Sequence, residues 1–223
     1  MKKLALAAAL LGVFGTAQAT GLSVANQSGL INPFVNYNGQ PATITGAETA
    51  GVYGNLVANV AGTITFTYLG QESGNKNRFK LDLGSSNQYF YDNNGSSGQT
   101  ALGSSITDTT VAPGLVDFKF TDTSPWLFDQ SVSNGSNPNK FNGLSFAFLG
   151  SVVNGAFVFD TTTTYGSFDY IIGLNDLAND DDYDDLVVGV KFTPSAVPVP
   201  AALPLMATAL GLFGFGASRR RIK

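Results

Sequence analysis

The feature that most constrains the fold is an alternation of apolar and polar residues that recurs along the middle of the chain. In residues 63–69, Ile64, Phe66 and Tyr68 fall on one side of an extended chain and threonines fall on the other. A period of two is typical of half-buried β-strands, and no window outside the two chain ends shows the period of an amphipathic helix. The same pattern predicts strands at residues 78–83, 116–120, 144–149, 156–159, 167–174 and 186–192.

Short polar segments separate these predicted strands. Residues 92–98 and 134–139 are rich in Asn, Gly and Ser, which favour turns, and residues 150–155 join two of the strands as a hairpin. Many short strands with polar turns, without an internal repeat of fixed period, predict an all-β domain. We expect one antiparallel two-sheet sandwich, jelly-roll-like, over residues 20–194, which is long enough to bury a hydrophobic core.

Two residue types, cysteine and histidine, are absent from the 223-residue chain. Without cysteine there can be no disulfide and no thiolate metal site. Without histidine there can be no Ser-His-Asp triad, no imidazole base and no histidine-ligated metal. Carboxylate-pair glycoside hydrolysis and calcium binding remain open. The sequence shows no catalytic constellation and fixes no separation between two carboxylates, so we predict that the protein is not an enzyme.

The middle of the chain is strongly acidic. It holds all sixteen Asp and Glu residues but six of the twelve Lys and Arg residues, which gives a formal charge of −10. Such a surface repels nucleic acid and anionic lipid, so we expect no nucleic-acid partner. The same charge attracts divalent cations in an extracellular setting.

The N-terminus has the three parts of a secretory signal peptide in order. Two lysines precede an apolar run over residues 4–14, and Ala17 and Ala19 occupy the small positions of a cleavage site. The apolar run is shorter than the ~20 residues that a membrane-spanning helix needs. We therefore predict a signal peptide over residues 1–19 and a mature chain that begins at Thr20.

The C-terminus carries a second targeting signal. Pro198 and Pro200 favour an extended chain, and residues 201–217 are uncharged and apolar enough for a short transmembrane helix. By the positive-inside rule, the arginines that follow stay on the cytoplasmic side, which places the central domain outside the membrane. This arginine cluster consists of Arg219, Arg220 and Arg221.

This tail resembles the PEP-CTERM sorting signal of Gram-negative bacteria, which combines a Val-Pro-x-Pro motif, a short transmembrane helix and a basic end. The resemblance covers residues 197–221 and depends on Val197, Pro198 and Pro200 together with the arginine cluster; Val199 stands where the family usually has Glu. It implies recognition by an exosortase, a membrane transpeptidase-like protease, and a link to extracellular polysaccharide. The alternative is an ordinary C-terminal membrane anchor.

Six of the sixteen acids lie in residues 176–185, here called the acidic segment, between two predicted strands. Like charges this close repel each other unless water or a cation screens them. Calcium takes six to eight oxygen ligands, many of them carboxylates, so the segment is a candidate calcium site; the alternative is a solvated acidic loop. It lacks the Gly and Glu positions of an EF-hand. The predicted ligands are Asp176, Asp180, Asp182, Asp184 and Asp185.

The acidic segment also resembles a motif near the C-terminus of many exported bacterial adhesin-like domains. In that motif Glu-Asp-Leu is followed by a glycine-rich step, then by Asp-x-Asp-Tyr-Asn-Asp and a Val-rich strand. Asn175 replaces the Glu here and Asp184 replaces the Asn. The resemblance implies a last hairpin that calcium stabilises. The motif is matched at Asp176, Leu177, Asp180, Asp182, Tyr183 and Asp185.

Aromatic residues are the remaining candidates for a binding site. An exposed Trp126 could stack on a sugar ring, but a single Trp is more often part of a core. Tyr89, Phe90 and Tyr91 are expected to be strand residues rather than a binding platform.

Together these features predict a non-enzymatic envelope or extracellular-matrix protein. It would be exported, held by its C-terminal helix or released by an exosortase system, and associated with exopolysaccharide or biofilm. The first alternative is a carbohydrate-binding module that acts on exopolysaccharide. The second is a secreted carboxylate-dependent glycosidase.

Overall fold

The computed structural model describes residues 21–31, 50–83, 86–93, 97–125, 129–138, 143–159, 161–176 and 182–196. Within these ranges the chain forms strands and no helix, so they contain no helix that is long and apolar enough to cross a membrane. The predicted signal peptide and the predicted C-terminal span lie outside the described residues. The same holds for the predicted cleavage and sorting residues Ala17, Ala19, Val197, Pro198, Pro200, Arg219, Arg220 and Arg221.

The described residues form fifteen strands, and all of their pairings are antiparallel. The strands are β1 (Leu22–Ile31), β2 (Ala50–Ala58), β3 (Gly62–Gly70), β4 (Asn77–Leu81), β5 (Gln88–Asp92), β6 (Ser105–Val111), β7 (Gly114–Leu115), β8 (Phe118–Asp122), β9 (Ser131–Ser133), β10 (Ser145–Val153), β11 (Ala156–Phe159), β12 (Thr162–Thr163), β13 (Gly166–Ser167), β14 (Tyr170–Asn175) and β15 (Leu186–Pro194).

The fold is built from two main sheets. The larger has nine strands in the order β1-β2-β10-β14-β15-β3-β6, with β11 added to β10 and β7 added to β2. The smaller has four strands in the order β5-β4-β8-β9, and β12 and β13 form a separate two-stranded ribbon. The prediction of an all-β, antiparallel fold is therefore confirmed, and its two main sheets give it a sandwich-like form.

The two sheets are joined by a shared aromatic core. Alternation puts Phe66 of β3 on the face of the larger sheet that meets Phe79 of β4, and their ring centroids lie 4.8 Å apart. At another point Phe118 of β8 lies 5.4 Å from Phe146 of β10. All four rings are fully or almost fully buried. Burying such large apolar surfaces supplies the main driving force that holds the sheets together.

A second, smaller cluster covers part of the opposite face of the larger sheet. It includes Tyr183, which lies in the connection between β14 and β15 rather than in a strand. This connection is therefore packed onto the sheet from outside. The cluster consists of Tyr53, Leu69, Ala147, Leu149, Phe168, Ile171, Tyr183 and Val187.

The predicted hairpin between residues 144–149 and 156–159 is confirmed, but its predicted loop over residues 150–155 is too long. Strand β10 continues to Val153, and the turn is Asn154-Gly155, with positive φ values of 51° and 79°. Such values are typical of a two-residue type I′ turn. Gly150 lies within β10 rather than in the turn. A larger residue would not fit at this position, because the carbonyl oxygen of Val158 would be 2.2 Å from an added Cβ. That glycine marks a close backbone approach, which the sequence pattern does not distinguish from a turn.

Several strand ends in the smaller sheet also differ from the prediction: β4 ends at Leu81 rather than at residue 83, and β8 begins at Phe118 rather than at residue 116. Strand β4 begins at Asn77, one residue before the predicted start, and β8 runs on to Asp122, two residues past the predicted end. Asp92 closes β5, although the sequence places it in a turn cluster. The extensions to Asn77, Asp92 and Asp122 bring buried polar side chains into the sheet.

Candidate metal centre

The described acids of the acidic segment are buried rather than solvated. Asp176 and Asp184 are fully buried, and Asp185 and Asp182 expose 2% and 6% of their surfaces. The solvated-loop alternative does not describe these four side chains. Asp180 lies outside the described residues.

Tyr183 anchors this segment to the larger sheet. Its ring is fully buried, and its hydroxyl lies 2.7 Å from the hydroxyl of Tyr53 and 3.0 Å from Ser145 Oγ. Gly173 of β14 makes the approach possible, because an added Cβ there would lie 2.0 Å from the carbonyl oxygen of Tyr183. The tyrosine therefore positions the two acids that flank it, Asp182 and Asp184, relative to the larger sheet.

Asp182 and Asp184 form a carboxylate cluster with a residue that the sequence did not single out. One carboxylate oxygen from each of Glu72, Asp182 and Asp184 lies within 4.8 Å of the others. Glu72 is exposed, whereas the two aspartates are buried, so the cluster lies where a buried site opens to the surface. We refer to these three residues as the carboxylate cluster.

The position of Glu72 follows from the β3–β15 ladder. Gly70, at the end of β3, pairs with Val187 near the start of β15. The pairing continues past the strand ends, because the Glu72 amide donates to the carbonyl oxygen of Asp184 at 2.9 Å. Residues more than a hundred positions apart are thus brought together by strand register. A lone Glu in a Gly- and Ser-rich turn carries no pattern that predicts this.

Asp176 serves a different role from the carboxylate cluster. Its carboxylate accepts hydrogen bonds from Ser73 Oγ, from Asn75 Nδ2 at 2.9 Å and from Asn77 Nδ2 at 2.6 Å. Its own amide donates to Asp185 Oδ2 at 2.7 Å. Asp176, a predicted ligand, therefore connects the acidic segment to the β3–β4 loop and to the smaller sheet, and Asp185, another predicted ligand, holds the backbone amide of Asp176.

A row of buried polar residues adjoins Asp176. Asn77 of β4 pairs with Asp92 of β5 on one side and with Asp122 of β8 on the other. All three are fully buried. Burial raises the pKa of the Asp122 carboxyl above its ordinary value; two hydrogen bonds from Ser124 oppose this shift, and the nearby Asp176 adds to it. We call Asp92, Asn77 and Asp122 the polar row; the sequence predicted none of them as site residues.

The donor set of the carboxylate cluster suits a hard divalent cation. It offers carboxylate oxygens from two connecting segments, with no sulfur and no imidazole nitrogen. Calcium prefers such oxygen ligands and accepts irregular geometry, whereas magnesium demands a tighter octahedron. The three carboxylates therefore form a group that could hold a metal ion.

Aromatic residues form a second surface feature, on the outer face of the smaller sheet. Tyr91 is 39% exposed, and its ring lies 5.7 Å from that of Tyr89 at an angle of 31°. The Arg78 guanidinium lies 5.5 Å from the centroid of Tyr89. Phe90 points the other way and is buried, so the expectation that all three are strand residues is confirmed. Trp126 lies outside the described residues.

Comparisons with known proteins add no relative from which a function could be transferred. No protein-family model, no curated protein and no solved structure matches this chain.

Proposed function

We propose that this chain is a non-enzymatic exported protein of the bacterial envelope or extracellular matrix, whose sandwich-like domain is locked by calcium. The observation that carries the proposal is the carboxylate cluster: Glu72, Asp182 and Asp184 place oxygens within 4.8 Å of one another from two different connections. The finer jelly-roll description of the sandwich is part of the same proposal.

Calcium bound by the carboxylate cluster would link two parts of the chain that are distant in sequence, the β3–β4 loop and the acidic segment. We call this link the clasp. Without a cation, the like charges of the carboxylate cluster repel each other in a partly buried place, where water screens them poorly. A bound ion reverses the sign of that interaction and adds binding free energy to the folded state alone. Backbone carbonyl oxygens and water can complete the six to eight ligands that calcium takes.

Thermal melting tests this clasp. At calcium levels ~100-fold above Kd, binding adds about 2.7 kcal/mol to the free energy of unfolding. For a domain of this size we expect the melting temperature in detergent micelles to rise by roughly 5–10 °C from EDTA to calcium. Extracellular sites often have Kd values of about 10⁻⁴–10⁻³ M, so the rise should need millimolar calcium, and magnesium should substitute poorly.

Three variants make this measurement specific. Asp182→Asn combined with Asp184→Asn should markedly reduce the calcium-dependent rise, and Glu72→Gln, which changes an exposed side chain, should weaken it without harming the fold. Asp117→Asn is the matched control, because Asp117 is an exposed acid outside the cluster. No rise in the wild type, or an equal rise in the double variant, would refute the clasp.

Sorting to the envelope is the second part of the proposal and rests on the sequence of residues 197–221. Replacing Arg219, Arg220 and Arg221 by Asn should mislocalise the protein, because the basic end would no longer hold the tail in the membrane in the required orientation. Cell fractionation and the size of the processed chain are the measurements. Unchanged fractionation and unchanged processing would contradict an exosortase-dependent route.

A carbohydrate-binding module is the second candidate, and the outer face of the smaller sheet favours it. Tyr89 and Tyr91 present neighbouring rings there, and Arg78 lies against Tyr89. Lys119 alternates with buried Phe118 and Phe120, so it lies on the same outer face. Aromatic rings stack on sugars and cations pair with carboxylates, so the fitting ligand is a polysaccharide that carries uronic acids.

Affinity electrophoresis in hyaluronate and in neutral dextran tests this candidate. Retardation in hyaluronate that is lost in both Tyr91→Ala and Lys119→Ala would support it. Retardation in neither polysaccharide would refute it for this ligand class. Release of reducing sugar from either polymer would instead favour the carboxylate-dependent glycosidase.

A further inference from the structure

The polar row lies on the face of the smaller sheet that packs against the larger one. Along β4, buried and partly exposed side chains alternate. The buried ones are Asn77, Phe79 and Leu81, and the partly exposed ones are Arg78 and Lys80. Because neighbouring strands lie ≈ 4.8 Å apart, the side chains of Asp92 and Asp122 flank the Asn77 amide on the same face. Three oxygen-bearing side chains thus meet inside the sandwich.

The amide of Asn77 is held in one orientation. Its Nδ2 donates to Asp176 Oδ2 at 2.6 Å. The reverse orientation would place Oδ1 against that carboxylate, where two acceptors repel each other. Oδ1 is therefore turned away from Asp176, and it is buried without a hydrogen-bond donor among the described residues.

Asp122 presents a second such oxygen. Its Oδ1 accepts the amide of Ser124 at 2.7 Å, while its Oδ2 is buried without a donor from the described part of the chain. The salt bridges between described residues, Lys80–Asp82 and Lys191–Asp169, do not include it. A buried carboxylate oxygen without a donor or a counter-charge is costly, so such a group is usually protonated or bound to a metal ion.

We propose that the polar row is a calcium site inside the sandwich, distinct from the carboxylate cluster. Asn77 Oδ1 and Asp122 Oδ2 bind the ion, and Asp92 contributes a carboxylate from the neighbouring strand. Amide and carboxylate oxygens are ligands that calcium accepts, and buried water supplies the remaining positions. None of Glu72, Asp182 and Asp184 belongs to the row, so this inference does not rest on the clasp.

The ion would satisfy both orphaned oxygens at once. It would also bridge β4, β5 and β8 at the end of the smaller sheet where the aromatic core stops. Asp176, which touches Asn77, lies between the two sites and is held by its own donors. The two sites can therefore be removed one at a time.

Calcium stoichiometry measured by flow dialysis with radioactive calcium tests the proposal. The full chain in detergent micelles is compared with three variants: Asp182→Asn with Asp184→Asn, Asp122→Asn alone, and all three substitutions together. We expect the wild type to bind one more ion per chain than either of the first two variants. The triple variant should lose both ions. Asp117→Asn, an exposed acid, should bind as the wild type does.

Two results would overturn the proposal. The first is that Asp122→Asn, folded as judged by circular dichroism, leaves the stoichiometry unchanged in both backgrounds, which would mean that Asp122 is simply protonated. The second is that the Asp182→Asn, Asp184→Asn variant binds no calcium. That measurement does not require Asp122→Asn to fold. If the clasp alone fails, the wild type and the Asp182→Asn, Asp184→Asn variant bind equally, and Asp122→Asn still removes the ion.

The lifetime of europium luminescence in water and in deuterium oxide gives an independent measurement. Europium bound in the Asp182→Asn, Asp184→Asn variant should coordinate fewer water molecules than europium bound in Asp122→Asn. The reason is that the polar row is fully buried, whereas the carboxylate cluster includes the exposed Glu72. Equal hydration in the two variants would contradict an interior site.

Discussion

Two neighbouring rows on one face of the smaller sheet show how differently a protein can fill the same kind of space. The aromatic row consists of Phe90, Phe79 and Phe120, which pair across β5, β4 and β8. Two residues further along the same strands comes the polar row. Both rows are buried, and both have the same backbone geometry. They differ in what they need: aromatic rings pack without specific partners, whereas each buried polar atom needs one.

The aromatic row should be the part of the face that is indifferent to cations. Phe79 lies 4.8 Å from Phe66 and 5.2 Å from Phe120, centroid to centroid. Phe79→Ala should reduce the free energy of unfolding by about 3–5 kcal/mol, because a large cavity replaces the ring. Guanidinium unfolding in EDTA and in calcium should give equal losses. Tyr91→Ala, on the outer face, is the matched control and should cost much less. A loss at Phe79 that depends on calcium would break the distinction between the rows.

The polar row should depend instead on individual partners. Asp176→Ala leaves the buried donors Ser73 and Asn77, and the half-buried Asn75, without their acceptor. A typical hydrogen bond contributes a net value of about 1 kcal/mol, so losing three of them should lower the free energy of unfolding by about 3 kcal/mol even in EDTA. Asp117→Ala, at an exposed acid, should change stability by less than about 0.5 kcal/mol. A loss of similar size in the two variants would show that the network contributes nothing.

Tyr68 lies near a residue of each row and should make the free energy of unfolding depend on pH in the alkaline range. Its ring lies 5.9 Å from Phe90; burial raises its pKa above the ordinary 10.0, and the charge of Asp92 raises that pKa further. Neutral Tyr68 contributes its full stability below about pH 10. Above that pH the contribution is lost progressively, because the Tyr68 hydroxyl ionises at lower pH in the unfolded chain than in the folded one. The loss is about 1.4 kcal/mol per pH unit. Urea unfolding of Tyr68→Phe should show a shallower decline, and identical slopes would contradict this assignment.

The smallest effect concerns the tyrosine that anchors the acidic segment. Tyr53→Phe removes one of the two hydroxyl partners of Tyr183 and leaves Ser145. The expected loss is about 1 kcal/mol in unfolding experiments, the typical net value of one hydrogen bond. Tyr165→Phe, at an exposed ring, serves as the control. A loss above ~3 kcal/mol would mean that Tyr53 positions the carboxylate cluster as well as Tyr183.

Predictions from the sequence succeeded where the information is local. The alternation in residues 63–69 predicts β3, and the pattern at residues 186–192 predicts β15; the structure confirms both. Dense acids in residues 176–185 predicted a calcium site; the described acids of this segment are buried, and the calcium site itself stays a prediction. These signals are readable because side-chain direction in a strand follows directly from sequence spacing.

The same reasoning failed at strand ends, where the polar row lies. Asn77 and Asp122 fell just outside their predicted strands, and Asp92 fell inside a predicted turn. An Asn or Asp is a typical turn residue, so sequence favours ending a strand there. Pairing with the neighbouring strands overrides that preference, since a paired backbone keeps its hydrogen bonds regardless of the side chain.

Sequence alone determined that this chain is all-β, acidic, free of thiol and imidazole chemistry, and built with an acid-rich connection near its last strand. Tertiary structure alone decided which oxygens meet. Glu72 reaches Asp184 because β3 pairs with β15, and Asn77 lies between two aspartates because β4 pairs with both β5 and β8. Register between strands distant in sequence depends on the packing of a whole face, and no local pattern encodes it.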